Sequence, residues 1–343
     1  MGRVPPALAA TRVAVRRALA DLAGGSLVLV ACSGGADSLA LAAGLAFVAP
    51  RHGWRAGGVV VDHGWTADSA QRSACVRETC RELGLAPVQG LTVHAPRREG
   101  PARDARRQAL AQAALRLECA AVLLGHTLDD QAETVLLRLA RGAGARSLAG
   151  MAPRSGLFRR PLLGLPRSLT HQACREAGLS PWSDPANADA AFARVRVRRD
   201  ALPALVAALG PGVPLGLARS AQLLRLDNEA LDELAADALP AAAAGGAGLR
   251  VDRLRALAPA IRLRVFRRVA LEAGVPAGAL SARHLLAVDD LVSGWRGQGP
   301  VSLPDGWEAS RRDGRIRLVQ RPGPPSPETP SPETAAPETA APA

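Results

Sequence analysis

The chain has 343 residues, 48% of them hydrophobic and 22% charged, a length for two domains with tails and a composition for a sizeable core. Its net charge of +12 rests on 43 basic residues that are all arginine, which excludes a Walker-type phosphate lysine and a Schiff-base lysine and points to a polyanionic partner, nucleic acid first. No run of about 18 apolar residues lacks charges and the start has no clean apolar core before a cleavage site, so no membrane span, no secretory leader and a cytoplasmic location are expected.

In chain order, short apolar runs alternate with amphipathic stretches through the first half, the pattern of a parallel α/β sheet covered on both faces. Ser26 to Cys32 reads as a strand, followed by a Gly-rich turn and a helix from Asp37 to Phe47. Gly57 to Asp62 is a second strand, with a helix over Ala67 to Leu83. Val88 to Val93 is a third, with a helix over Ala102 to Glu118. Ala120 to Gly125 is a fourth, after which Asp129 to Leu139 opens another helix. Beyond Arg167 the pattern turns helical, with helices over Ser168–Ala177, Ala190–Leu209, Leu215–Leu239, Arg253–Ala273 and Ala282–Ser293 and a small-residue linker from Pro240 to Gly248. Val301–Leu303 and Arg315–Val319 are expected to form a hairpin, with turn signals at Pro304-Asp305-Gly306 and Asp313-Gly314. Pro322 to Ala343 repeats Ser-Pro-Glu-Thr and Ala-Pro-Glu-Thr and has too little apolar surface to order itself, so a disordered tail is expected. The expected domains are 1–165, a nucleotide-binding catalytic domain; 166–320, a mostly helical domain with a C-terminal hairpin that binds nucleic acid; and 321–343, the tail.

Cys32-Ser33-Gly34-Gly35-Ala36-Asp37-Ser38, set between strand and helix, is the strongest chemical feature. Two consecutive glycines let backbone N–H groups approach phosphate oxygens, Ser33 and Ser38 add hydroxyl donors, and the helix start adds its positive end. An acid at a phosphate site is repulsive unless it holds a cation, which makes Asp37 the candidate Mg²⁺ ligand. A second group follows the fourth strand: Asp129, Asp130 and Glu133 fall on the first turn and a half of a helix at the sheet's carboxyl end, where open α/β sheets bind ligands. Three acids so close repel one another unless a cation, an ammonium or Mg²⁺, sits among them. His63 and His126 each end a strand. Arg103 and Arg106 lie three apart on one helix face, suited to grip a base, a ribose or phosphates.

The hexapeptide Ser33 to Ser38 resembles the signature of the PP-loop, or N-type ATP pyrophosphatase, families. That resemblance implies that ATP is cleaved between its α and β phosphates and that the substrate is activated as an adenylate. Gly125-His126-Thr127-Leu128-Asp129-Asp130-Gln131-Ala132-Glu133-Thr134, continuing through Leu139-Ala140-Arg141-Gly142 to Gly150-Met151, resembles the second hallmark of tRNA(Ile)-lysidine synthetases. Val61-Asp62-His63-Gly64, Glu99-x-x-Ala102-Arg103-x-x-Arg106, Arg160-Pro161-Leu162-Leu163, Trp182-x-Asp184-Pro185-x-Asn187 and Phe192-x-Arg194 extend the likeness to about residue 205.

The resemblance implies a Rossmann-like sheet followed by a helical domain, with ATP and Mg²⁺ as cofactors and free L-lysine and the CAU-anticodon isoleucine tRNA as substrates. The implied reaction adenylates the wobble cytidine, joins lysine to it, and releases AMP and pyrophosphate. Asp129, Asp130, Glu133 and His63 then form the lysine- and cytidine-binding set, Arg103 and Arg106 act on the nucleotides, and either His126 or Asp130 takes the proton from the attacking amine. A homodimer is left open. The chain departs from the family pattern at Val195, where asparagine is usual, at Ala186 in place of a small hydroxyl residue, at Arg107 in a place usually aromatic, and at Trp65-Thr66 in place of leucine-arginine.

The nearest alternative is a tRNA-thiolating enzyme with the same loop, but iron–sulfur or persulfide chemistry needs paired cysteines. Cys32, Cys75, Cys80, Cys119 and Cys174 contain no CxxC. The other alternative is a non-catalytic, nucleotide-dependent RNA-binding protein, against which stands the joint presence of Asp37, His126 and the three acids.

Overall fold

The computed structural model describes residues 4–65, 68–94, 96, 99–182 and 189–321. Thr66, Asp184, Pro185, Ala186, Asn187 and the tail from Pro322, all singled out above, lie outside the described residues. The chain divides into two compact units, Met1–Leu226 and Asp227–Ala343.

The first unit holds α1 (Pro6–Leu19), β1 (Leu27–Ala31), α2 (Ala36–Val48), β2 (Arg55–Asp62), α3 (Ser69–Glu82), β3 (Val88–Thr92), α4 (Glu99–Arg116), β4 (Ala121–Leu124), α5 (Leu128–Leu139) and the short α6 (Ala145–Leu148). The two-residue strands β5 (Arg154–Ser155) and β6 (Phe158–Arg159) follow, then α7 (Arg167–Glu176), α8 (Ala193–Arg196), a π-helical turn over Val197–Ala201, α9 (Leu202–Leu209) and α10 (Val213–Ala243), which continues into the second unit. The six strands lie in the order β3-β2-β1-β4-β6-β5, and all neighbours pair in parallel except β5 with β6.

Every residue of β1 is buried, and its alternation feeds two cores. Val28, Val30 and Cys32 pack with Leu8, Val15, Leu41 and Cys174, while Leu27, Leu29 and Ala31 pack with Leu110, Ala114 and Phe158. This is the parallel sheet, covered on both faces, that the apolar strands predict. Helix α1 was not expected, yet Leu8, Thr11, Val15 and Leu19 form a buried stripe at helical spacing and Pro6 sits in the first turn, where its missing N–H costs nothing. The expected boundary at 165/166 falls inside the first unit, because α7 buries Thr170, Ala173 and Cys174 against α1 and α2.

The second unit adds β7 (Leu249–Arg250), α11 (Val251–Arg255), α12 (Pro259–Ala273), α13 (Ala282–Ser293), β8 (Val301–Ser302), β9 (Trp307–Arg312) and β10 (Arg315–Gln320), with an antiparallel sheet in the order β7-β10-β9-β8. The segment expected as one helix over Arg253–Ala273 is broken before Pro259, which disfavours helix in the residue ahead of it. The segment expected as a linker from Pro240 begins instead as the last turn of α10. The hairpin partner of β10 is β9, not the Val301–Leu303 segment, with Arg312 opposite Arg315. Asp313 and Gly314 make that tight turn with φ of 48° and 70°. Among the described residues no single helix is long and apolar enough to cross a membrane.

Candidate active site

After β1 the chain turns to β2 on one side, and β4 lies on the other, so the loops following β1 and β4 meet at the switch point of the sheet. The approach is close. A Cβ on Gly125 would stand 3.2 Å from the backbone of Asp37 and Ser38, so the segment carrying His126 lies directly on the start of α2.

The loop itself is held from within. Ser38 Oγ accepts the Ser33 N–H at 3.1 Å and donates to Gly35 O at 2.9 Å, with Ser33 Oγ 3.2 Å away. Gly34 has φ 82° and a Cβ there would meet Val76 at 2.6 Å, so no other residue fits. Ala36 opens α2, and Asp37 stands in its first turn. Thr170 Oγ1 donates to Asp37 Oδ1; Arg167 Nε is 3.7 Å and His171 Nε2 3.9 Å from its carboxylate. Burial pushes the Asp37 carboxyl above the usual range, against the pull of Thr170 and Arg167.

The acids of α5 are held differently. Thr127 caps the helix: its N–H and Oγ1 donate to Asp130 Oδ2 at 2.8 and 2.9 Å. Arg167 Nη2 donates to Asp130 Oδ1 at 2.8 Å, and the Arg167 backbone N–H donates to Asp129 Oδ2 at 2.7 Å. Glu133, 0% exposed, accepts from Arg167 at 3.2 Å and from Arg198 at 2.7 and 3.1 Å, with Arg194 Nε at 4.0 Å. Burial opposes the charge of Asp130, but Arg167 and the hydrogen bonds from Thr127 hold its carboxyl below the usual value. Four carboxylates, those of Asp37, Asp129, Asp130 and Glu133, thus surround Arg167 and hold its guanidinium charged in spite of burial.

The cation that sequence reasoning asked for among the three acids is therefore met in the first place by arginine. Arg167 and Arg198 were not singled out from sequence, nor was Thr170. Their partners lie 34 or more residues away, and nothing local marks two arginines among 43.

His126 follows β4 with its Nδ1 buried and unpartnered among the described residues. Burial first, then Arg103, Arg160 and Arg106, pull its pKa down to about 3 against the attraction of Asp130, so the imidazole is neutral. Arg106, half-buried on α4, makes no hydrogen bond or ion pair among the described residues and stands beside Cys32, where β1 enters the loop. Arg103 Nη2 reaches Met151 Sδ at 3.8 Å. His63 follows β2 on the same edge of the sheet, tilted against Trp65 with ring centroids 5.0 Å apart. Among the described residues no three His, Cys, Asp or Glu side chains converge as a metal cage.

Residues 10–205 match the family model of the PP-loop domain, and residues 249–317 match that of the TilS substrate binding domain. The chain is 54% identical to a protein named tRNA(Ile)-lysidine synthase from Thermobifida fusca (strain YX), over 92% of this chain and 98% of that one. It is also 54% identical to the protein of the same name from Salinispora arenicola (strain CNS-205), over 95% of this chain and 100% of that one. Among solved structures it resembles a U34-tRNA thiolase from Methanococcus maripaludis, with a TM-score of 0.54 and 19% identity over 64% of this chain and 80% of that one, a likeness of fold.

Proposed function

The chain belongs to the tRNA(Ile)-lysidine synthase family, and on that premise we propose that it joins free L-lysine to the wobble cytidine of the CAU-anticodon isoleucine tRNA, using ATP in the cytoplasm. It is an ATP-dependent ligase that acts on tRNA. The observation that carries the proposed division of labour is Arg167, which touches both the acid of the loop and the acids of α5.

In the first half-reaction the Ser33 to Ser38 loop takes the pyrophosphate part of ATP at the start of α2, whose positive end favours an anion. The cytosine 2-oxygen attacks the α phosphorus and pyrophosphate leaves. Arg106, a guanidinium beside the loop with no hydrogen bond or ion pair among the described residues, is suited to the α phosphate. Asp37 retains exposed surface and is the one carboxylate at the loop, which fits an ion that takes one protein ligand and otherwise phosphate oxygens and water. Mg²⁺ held there with ATP offsets phosphate charge.

In the second half-reaction the ε-amine of lysine attacks the activated carbon, and AMP leaves with the oxygen. Asp129 accepts the Arg167 backbone N–H through Oδ2 alone, which leaves its other oxygen for a lysine ammonium at the edge of the cluster that Arg167, Arg198 and Arg194 balance. Asp129 and Asp130 are the acids proposed to receive it, with Glu133 behind them fixing the arginines. Neutral His126 lies beside three arginines whose field the phosphates of ATP oppose, so its basicity rises when nucleotide binds; it is the proposed acceptor of the amine proton. The second unit is proposed to bind the tRNA away from the anticodon.

Incubation with ATP, labelled lysine and total tRNA tests the reading. Label is expected in tRNA, with one AMP and one pyrophosphate released for each lysine joined. ATP-dependent release of pyrophosphate with no lysine incorporated would remove it.

A further inference from the structure

Thr170 is 0% exposed, one turn along α7 from Arg167, where α7 lies against α2. Its hydroxyl meets two acceptors, Asp37 Oδ1 and, at 2.8 Å, the backbone carbonyl of Arg167. The hydroxyl has a single proton, and a carboxylate holds it more firmly than a peptide oxygen does. The second acceptor still matters. When Asp37 turns its charge to another cation, Thr170 can bond the Arg167 carbonyl instead, so the buried hydroxyl keeps a partner in either state.

The two oxygens of Asp37 are unequal. Oδ1 takes the bond from Thr170, with His171 Nε2 3.9 Å away. Oδ2 accepts no hydrogen bond among the described residues, and Arg167 Nε stands 3.7 Å from it, close enough to attract but too far to bond. A carboxylate turns about two side-chain torsions, and a guanidinium at this distance draws it in. Closed on Arg167, Asp37 would be neutralised by a cation the chain already has and lost to any other. Instead Thr170 holds Oδ1, and the far end of Arg167 is engaged by Asp130 and Glu133 at 2.8 and 3.2 Å. The Asp37 side chain keeps 24% of its surface exposed.

We propose that Thr170 is a positioning residue for the metal ion that accompanies ATP: its hydroxyl fixes the Asp37 carboxylate so that Oδ2 is left for that cation and not taken up by Arg167. The inference rests on the reading of Asp37 as the carboxylate that holds Mg²⁺ with ATP. Packing is the competing account of a threonine buried on α7. Packing, however, asks only for an apolar side chain of this size, such as Ala173 and Cys174 supply one turn on, and gives the hydroxyl no task.

Thr170→Val in the full chain is the test, because it keeps the size and branching of the side chain and removes only the hydroxyl. Affinity for ATP is measured by calorimetry with Mg²⁺ in excess and again with EDTA, beside thermal melts. The ratio of the two affinities reads the metal-dependent part of binding, and comparison with the parent cancels the affinity of ATP for the ion itself. Thr170→Val is expected to lower that ratio about tenfold, with metal-free affinity within about twofold of the parent. Thr170→Ala, which cannot overpack, is expected to do the same, and Thr170→Ser to restore the ratio. Asp37→Asn is expected to lower it at least as far. Thr170→Val added to Asp37→Asn then costs nothing more, because both act through one carboxylate. Equal weakening in Mg²⁺ and in EDTA, or an undiminished loss in the Asp37→Asn background, overturns the proposal and leaves Thr170 a packing residue. If Asp37→Asn collapses the ratio while Thr170→Val leaves it unchanged, this inference falls and the reading of Asp37 stands; if neither variant moves it, both fall.

Discussion

The Nε of Arg167 stands 3.7 Å from Asp37 Oδ2. The far end of the same guanidinium bonds Asp130 and Glu133 at 2.8 and 3.2 Å, so one side chain joins the acid of the phosphate loop to the acids of α5. Arg167→Met leaves those carboxylates short of one cation in a place where little water can replace it. A stability loss of about 3 kcal/mol is expected, a fall of roughly 6–12 °C in melting temperature. Arg167→Lys is expected to restore only part of it, since a single ammonium cannot fork between Asp130 and Glu133. Thermal melts of the three proteins decide; a melting temperature for Arg167→Met within a degree of the parent would show that Arg198 suffices.

His126 gives a pH signature. Its folded pKa of about 3 lies below the ordinary value near 6.5. Between those values the unfolded chain takes up a proton that the folded chain does not, so this group's contribution is fully present above about pH 6.5 and is lost as pH falls. From pH 6.5 to 5 the loss amounts to about 2 kcal/mol, and His126→Asn is expected to flatten that part of the curve. ATP places negative charge beside the arginines that depress the imidazole, so its pKa is expected to rise by at least about one unit on binding. The ring-proton resonances of His126, titrated by NMR with and without ATP, check both statements; a pKa that stays put or falls with nucleotide would remove His126 as the proton acceptor.

Asp37→Asn separates chemistry from folding. The amide keeps an acceptor for Thr170 and removes a charge that burial disfavours, so the melting temperature is expected to hold or rise. Pyrophosphate release is expected to fall at least about a hundredfold, because charge at the phosphates is then offset by the arginines alone. Turnover in Mg²⁺ within a few-fold of the parent would sink the assignment of the metal to Asp37.

What the sequence disclosed and what it hid divide along contact distance. The phosphate loop, the capping box of Thr127 with Asp130 and the apolar strands are local patterns, written within a few consecutive residues. Strands β5 and β6, two residues each, are too short for any period to show, and the stripe of α1 is masked by Arg12, Arg16 and Arg17 within it. Strand β9 carries Glu308, Arg311 and Arg312 and reads as surface loop until β8 and β10 pair with it. At the site, the three acids were legible because they sit within five positions, whereas Arg198 meets Glu133 across 65 residues. Charge balance predicts that some cation is there; only the fold says which.

The two kinds of acid on α5 should part company under substitution. Asp129 is half-buried, and one of its oxygens accepts the backbone N–H of Arg167. Asp129→Asn keeps that acceptor and the size of the side chain, and removes one negative charge where lysine is proposed to bind. Adenylation, followed as tRNA-dependent pyrophosphate release, is expected to continue because the loop and Asp37 are untouched. Transfer to lysine is expected to fall at least about tenfold, since a charge-assisted contact contributes roughly 1.5–3 kcal/mol. The fall appears as a raised Michaelis constant for lysine if the contact is equally strong in the ground and transition states. Glu133→Gln is expected to behave otherwise. Its carboxylate is 0% exposed and bonded to two arginines, so the amide leaves buried guanidiniums short of charge. Stability falls by about 3 kcal/mol, and both half-reactions decline together as the arginines shift. Steady-state kinetics of each half-reaction, read beside thermal melts, distinguish the two. Equal loss of both half-reactions in Asp129→Asn would assign Asp129 to the scaffold. Loss of lysine transfer alone in Glu133→Gln, at an unchanged melting temperature, would place the lysine ammonium on Glu133 and require Arg198 or Arg167 to move aside for it.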